Sequence, residues 1–176
     1  ELTALAFLDG ALVAFSAQSI FLVTGDGPND QGVGAYSTPR KLTSTAGSEG
    51  PHVVEVPAGL MYKSAGTIWL LPRGFGPPQP VGDDIQATLA LFPYLRSAVR
   101  CANDLDDCTH FVLASSDTSS ANTIVMVWDN KLNSWVSRDT IGNVAAAGAV
   151  GGVYTDVHQN WTSATSGLVR YLSEAA

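Results

Sequence analysis

An all-β chain arranged as a β-propeller-like array of about four antiparallel blades is the fold that this sequence predicts, and three observations carry the prediction. The first is an internal period. At an offset of 48, "LVAFSAQSIFLV" (12–23) falls over "LMYKSAGTIWLL" (60–71), with five of twelve positions identical and most others conserved in type. The second is that short apolar runs are separated by tight-turn residues such as Asp9-Gly10 and Pro57-Ala58-Gly59. The third is composition: 45% hydrophobic and 14% charged residues with seventeen Gly and nine Pro leave little room for long helices.

The first copy reads as strand, turn at Asp9-Gly10, strand, turn at Ala17-Gln18, strand from Ser19 to Thr24, and an outer strand from Pro39 to Thr43. The second repeats this plan, with its second turn at Ala65-Gly66 and a much shorter connection, Arg73 to Gln79, before its fourth strand. Residues Asp83 to Phe92 read as one short helix with an Asp as N-cap and Pro93 ending it. In the third copy, strands are expected at Val99–Cys101, Thr109–Ala114, Thr123–Trp128 and Ser134–Ser137. In the fourth they are expected at Ala145–Val150, Gly152–Val157 and Gly167–Leu172.

The residue that opens each third strand is Ile20, Ile68, Ile124 or Leu168, at spacings of 48, 56 and 44. A period of roughly 40 to 50 residues with up to four antiparallel strands is that of a propeller blade. One blade cannot bury both of its faces, so blades pack face to face. The run Ile124-Val125-Met126-Val127-Trp128 fits this, because a strand between two sheets has no wet face and need not alternate. The alternative for the same strand count is a β-sandwich, which does not require the 48-residue self-match. The blades are bounded at about 2–44, 50–82, 96–139 and 143–174, in one domain or a fragment of a larger ring. The start at Glu1, with no charged-then-apolar leader, reads as a portion of a longer polypeptide.

Charge and hydropathy limit the function classes. The longest apolar run, Ile68-Trp69-Leu70-Leu71, is far short of the roughly 18 residues of a membrane helix, so no membrane span is expected. Sixteen acids against nine bases give a formal charge of -7, and the bases are scattered, which disfavours tight nucleic-acid binding.

Each candidate site has a plainer reading beside it. The stretch "GDGPNDQGVGAYST" (25–38) contains Asp26, Asn29 and Asp30, three oxygen donors for calcium, but Asp, Asn, Gly and Pro are also what any turn prefers. Its length makes it a contact loop carrying Asp26, Asn29, Asp30 and Gln31 rather than a chemical site. Cys101 and Cys108 would lie opposite each other if their strands form a hairpin, giving a disulfide worth roughly 2 to 3 kcal/mol in an oxidising setting; two thiols are the equal alternative. Asp104, Asp106 and Asp107 read as a solvated turn. No nucleophile elbow and no histidines converging with the cysteines are present, so no catalytic residue, metal site or cofactor is assigned. Asn160-Trp161-Thr162 fits a glycosylation acceptor, and Trp69, Trp128, Trp135 and Trp161 suit packing between blades better than sugar stacking.

The strings "SIFLVTGDGPNDQGVGAYSTPRKL", "GPHVVEVPAGLMYKSAGTIWLLPRGF" and "TIVMVWDNKLNSWVSRD" resemble runs found in virion proteins of tailed bacteriophages, over about Leu2 to Asp139. The family pattern is a Gly-Asp-Gly-Pro-type loop after a strand, a Pro-x-Gly turn, an Ile-Trp-Leu-Leu-x-Arg-Gly strand and a Val-Trp-Asp hairpin closing on Trp. It includes nozzle or tail-tube proteins of short-tailed phages and portal-plugging hub proteins. The resemblance implies a non-enzymatic structural tail component in the virion, contributing to the conduit for DNA ejection. Its partners would be other tail or portal proteins, and it would be a homo-oligomer. An acidic wall that does not hold DNA phosphate suits that role. The alternative is a propeller module whose loops bind a carbohydrate or protein in host recognition.

Overall fold

A computed structural model describes residues 1–102, 107–116, 123–139, 144–147, 159–163 and 169–172. The protein is mostly β, with antiparallel sheets and, among the described residues, one short α-helix. The first sheet has the order β1-β2-β3-β4, formed by Ala4–Leu8, Ala11–Phe15, Ile20–Val23 and Arg40–Thr43. The second has the order β5-β6-β7-β8, formed by Val53–Val56, Gly59–Ser64, Thr67–Pro72 and Gln79–Pro80. Each is a meander in which neighbouring strands pair in chain order, so each sheet is a local, blade-like unit.

The turn chemistry sets the registers. Asp9 and Gly10 both have positive φ, 49° and 76°, as a two-residue hairpin turn of right-handed strands requires. This holds Leu8 opposite Ala11 and Ala4 opposite Phe15. Ala65 and Gly66 repeat the geometry at 48° and 77° and set Ser64 opposite Thr67. Because alternate residues share a face, Ala4, Leu8, Ala11, Val13, Phe15, Ile20 and Leu22 form one apolar surface of the first sheet. Leu60, Tyr62 and Leu71 of the second sheet pack onto it, with Val53 and Trp69 at its margin. Strand β6 is buried along its whole length, so both faces of the second sheet are covered.

Two compact units divide the chain, residues 1–83 and 84–176. A short 3-10 turn, Asp83–Ile85, begins at the last residue of the first unit and leads into α1, Gln86–Leu91, which buries Leu89. The expected Asp N-cap is not formed: Ile85 occupies the cap position, and no side chain caps the helix. The third sheet has the order β12-β11-β10-β9, from β9 (Tyr94–Ala102), β10 (Asp107–Ala114), β11 (Thr123–Asp129) and β12 (Ser134–Asp139). Residues Ile124 to Trp128 are all buried, as their unbroken apolar run requires. Trp135 meets Trp128 and Phe111 edge to face, with ring centroids 5.2 and 5.3 Å away, which places these tryptophans in packing roles.

The last sheet consists of β13 (Val144–Ala147), β14 (Gln159–Ser163) and β15 (Val169–Leu172). Its middle strand is therefore Gln159–Ser163, which was not expected as a strand. The stretch 152–157, expected to be one, lies outside the described residues. In each unit the first strands of the two sheets are neighbours, β1 beside β5 and β9 beside β13, as in blades whose innermost strands adjoin.

Candidate functional site

The most distinctive surface of the first unit is the end of the two sheets that carries the turns at Asp9-Gly10 and Pro57-Ala58. Residues 24–39 extend from this rim as a long connection between β3 and β4, whereas β7 and β8 are joined by only 73–78. The loop is folded on itself. The Thr24 backbone N–H donates to Ser37 Oγ at 2.9 Å, and the Ser37 N–H donates back to the Thr24 carbonyl at 2.7 Å, closing the base. At the tip, Asn29 Oδ1 accepts from the N–H groups of Gln31 and Val33 at 3.0 and 2.9 Å, and the Asn29 N–H donates to the Val33 carbonyl at 2.8 Å. This is an Asx-type turn in which the side chain replaces a backbone acceptor.

Glycine is needed where the two legs of the loop cross. Gly34 has φ +108°, and a Cβ there would lie 2.5 Å from the Gly27 carbonyl oxygen; a Cβ on Gly27 would meet the Tyr36 ring at 2.7 Å. All four residues expected to form the contact loop are exposed, but they do different things. Asn29 organises the tip from within, while Asp26, Asp30 and Gln31 are exposed together with Val33 and with Tyr36, whose ring lies over Gly27. The calcium reading of this stretch loses its third donor, since the Asn29 oxygen is already engaged by two backbone N–H groups. Among the described residues no group of three His, Cys, Asp or Glu side chains could hold a metal ion.

At the same end of the sheets, Arg73 ties the two sheets together. Its Nη1 donates to Asp9 Oδ1 at 2.5 Å, its Nη2 to Glu55 Oε1 at 2.8 Å and its Nε to the Pro57 carbonyl at 2.7 Å. The Gly74 N–H completes the grip on Asp9 Oδ2 at 3.1 Å. That backbone N–H and then the Arg73 guanidinium hold the Asp9 carboxyl below its ordinary value. A depressed native value means that the unfolded chain takes up the proton first. The contribution of Asp9 is therefore complete above the ordinary carboxylate range and is lost as pH falls through the native value. We expect the melting temperature of the protein to fall between about pH 5 and pH 3. An Asp9→Asn variant is expected to start lower at neutral pH and to fall less steeply in acid, as a thermal-shift series against pH would record. An identical acid slope in the two proteins would contradict the role given to Asp9.

Toward the opposite end, Ser44, Thr45 and Glu49 of the segment joining the sheets line a cleft of about 470 Å³ together with the β2–β3 and β6–β7 turns. Gln18, Ser44, Thr45, Glu49 and Ser64 supply its polar lining. The Glu49 carboxylate pairs with the buried Lys63 ammonium and accepts the Gly66 N–H at 3.1 Å. This arrangement neutralises Glu49 and leaves the cleft a structural seam. Nothing local in the sequence marks Glu49, which sits in a run of small polar residues.

In the second unit, Asp107 is not the solvated acid of a turn. The Arg100 guanidinium binds it through two hydrogen bonds, at 2.9 and 2.7 Å, and Asn130 Nδ2 donates to it at 2.7 Å. Arg100 accordingly holds the Asp107 carboxyl low. Asp104 and Asp106 lie outside the described residues. The β9–β10 register sets Cys101 opposite Cys108, the pairing that the hairpin reading required, and Cys108 is buried; the Cys101 side chain lies outside the described residues. No protein-family model matches the chain, and no curated protein sequence matches it.

Proposed function

We propose that this protein is a structural, non-enzymatic component of a bacteriophage tail. Its blade-like sheets brace the tail conduit or the portal-proximal assembly, and its loop rim contacts neighbouring tail or portal proteins. The observation that carries this reading is the 24–39 loop. It is ordered by its own backbone, stands on a locked pair of sheets, and leaves Asp26, Asp30, Gln31, Val33 and Tyr36 exposed. A surface loop held rigid in this way loses little entropy when it meets a partner. The resemblance of the repeated strings to virion proteins supplies the kind of partner, and the net charge of -7 suits a wall along which DNA passes without being held.

Deleting residues 29–34 should leave the melting temperature within a few degrees of the parent while reducing incorporation into purified tails, measured by immunoblot of gradient-purified particles. Collapse of the fold on deletion would show the loop to be part of the core, and full incorporation without it would remove it as the contact. The exposed Tyr36, in the same loop as Asp26 and Asp30, favours one second reading, capture of a carbohydrate or peptide in host recognition. A monomer that bound a defined glycan on an array and never associated with tail or portal proteins would replace the first reading with the second.

A further inference from the structure

The sequence contains two Asp-Gly pairs, Asp9-Gly10 and Asp26-Gly27, and no Asn-Gly pair. In an Asp-Gly pair the side-chain carboxyl is open to attack by the next backbone nitrogen, because glycine places no Cβ beside that nitrogen. The structure treats the two pairs oppositely. Asp9 sits in the two-residue turn between β1 and β2 at φ 49°, and both of its carboxylate oxygens are held, one by Arg73 Nη1 and the other by the Gly74 N–H. Those contacts also keep the carboxyl ionised, and an ionised carboxylate resists attack.

Asp26 has no such restraint. It is exposed and lies in no turn, and among the described residues neither its carboxylate nor the Gly27 N–H has a hydrogen-bond partner. The pair lies between the two ties that order the loop, Thr24 with Ser37 at the base and Asn29 with Val33 at the tip. Gly27 is covered by the Tyr36 ring, yet its nitrogen gives up no hydrogen bond when it reacts.

We propose that Asp26 is a site of spontaneous backbone modification, the conversion of aspartate to isoaspartate, and that Arg73 protects Asp9 from the same fate. The Gly27 nitrogen attacks Asp26 Cγ. The N–Cγ bond forms, and the amide proton and the carboxyl hydroxyl leave as water. Water then adds to the resulting succinimide. Addition at Cγ restores aspartate, whereas addition at the Asp26 backbone carbonyl breaks the former peptide bond and carries the chain through Cβ and Cγ. The steps release one water and take one up, and they need no other reactant. The product has an extra backbone carbon next to Gly27, where the loop has no room for it. A Cβ on Gly27 would already meet the Tyr36 ring at 2.7 Å, and a Cβ on Gly34 would lie 2.5 Å from the Gly27 carbonyl oxygen. Conversion therefore opens the crossing of the two legs. That this alters a contact surface rests on the proposed function; the conversion itself rests on the loop alone.

The test is prolonged incubation of the full chain at neutral pH, with isoaspartate followed by isoaspartyl methyltransferase labelling of chymotryptic peptides. Cuts after Phe15 and Phe21 separate Asp9 from Asp26. In the folded protein the Asp26 peptide should gain label about tenfold faster than the Asp9 peptide or more, since Asp9 reacts only after its turn has opened locally. In guanidinium chloride the two rates should converge. Asp26→Glu should abolish the faster signal, because a glutamate would have to close a larger ring, and Arg73→Gln should raise labelling at Asp9. Equal labelling of the two peptides in the folded protein, or label at Asp26 that appears only in denaturant, would overturn the inference. So would an Arg73→Gln protein with native circular dichroism in which Asp9 stays unlabelled. Converted protein that enters tails as readily as fresh protein would retain the modification site and remove the loop as the contact.

Discussion

Gly47→Ala is expected to lower the stability of the first unit by about 3 kcal/mol or more, because the added methyl group has no side chain to displace. A Cβ at this position would collide with the Ser16 carbonyl oxygen and come within 2.5 Å of the Ser19 nitrogen and 2.7 Å of the Gln18 nitrogen. All three atoms are backbone, in the turn that joins β2 to β3. Ser16 and Ser19 are also tied to each other, the Ser16 N–H donating to the Ser19 carbonyl at 2.8 Å. Relief would need the turn or the connecting segment to move, and that segment is pinned on both sides. Thr3 Oγ1 donates to the Ser48 carbonyl at 2.7 Å, and the Tyr62 hydroxyl donates to the Ala46 carbonyl at 3.1 Å. Gly50→Ala, three residues along, is the control. A Cβ there meets nothing within 4 Å, so the substitution should change stability by less than about 0.5 kcal/mol. Urea unfolding should report a lower midpoint with an unchanged slope for Gly47→Ala and a wild-type midpoint for Gly50→Ala. Equal midpoints for the two variants would mean that the segment is not held between the sheets.

The contrast between these two glycines marks the boundary of what the sequence makes legible. Strand positions were readable because the signals are local. Asp9-Gly10 and Ala65-Gly66 fix hairpins through φ, and the self-match at 48 aligns one hairpin with the other. The unbroken run from Ile124 to Trp128 could only be a strand covered on both faces. The loop at 24–39 was legible by its length against the second copy, and its exposed Asp26, Asp30 and Gln31 follow from that. The turning of Asn29 inward was not, because an Asn that closes an Asx turn and one that faces a partner look the same in sequence. Residues 44–49 were missed for a different reason. Ser44-Thr45-Ala46-Gly47-Ser48-Glu49 has the composition of a solvated linker, yet Ala46, Gly47 and Ser48 are buried by packing against strands that are distant in the chain. Small residues carry no periodic signal that could announce this. Arg73 is a similar case, since nothing local identifies Asp9, sixty-four residues earlier, as its partner. The middle strand of the last sheet failed because Gln159–Ser163 alternates weakly and contains two amides, whereas the apolar stretch before it drew the assignment.

Tyr62→Ala should be among the most damaging substitutions in the protein, at about 3 to 5 kcal/mol, the range for deletion of a fully buried aromatic ring. Tyr62 is fully buried at the centre of the seam between the first two sheets, and its ring lies 5.0 Å from Phe15 at an interplanar angle of 56°. Burial also pushes the phenol pKa well above its ordinary value, so the hydroxyl stays a neutral donor to the Ala46 carbonyl. Tyr62→Phe separates the two contributions. It keeps the ring and its contact with Phe15 and removes only the donor, so its cost should be about 1 kcal/mol, somewhat more if water cannot reach the abandoned carbonyl. Combining each Tyr62 variant with Phe15→Leu gives a double-mutant cycle. Coupling of about 0.5 to 1.5 kcal/mol is expected with Tyr62→Ala, and almost none with Tyr62→Phe. Chemical denaturation of the four proteins in each cycle would measure it. If Tyr62→Phe proved as costly as Tyr62→Ala, the seam would be held by the hydrogen bond from β6 to residues 44–49, and the packing of one sheet on the next would be secondary. If Tyr62→Ala cost less than about 1 kcal/mol, the two sheets would not form one core at all, since no other side chain at the seam could replace a ring of that size.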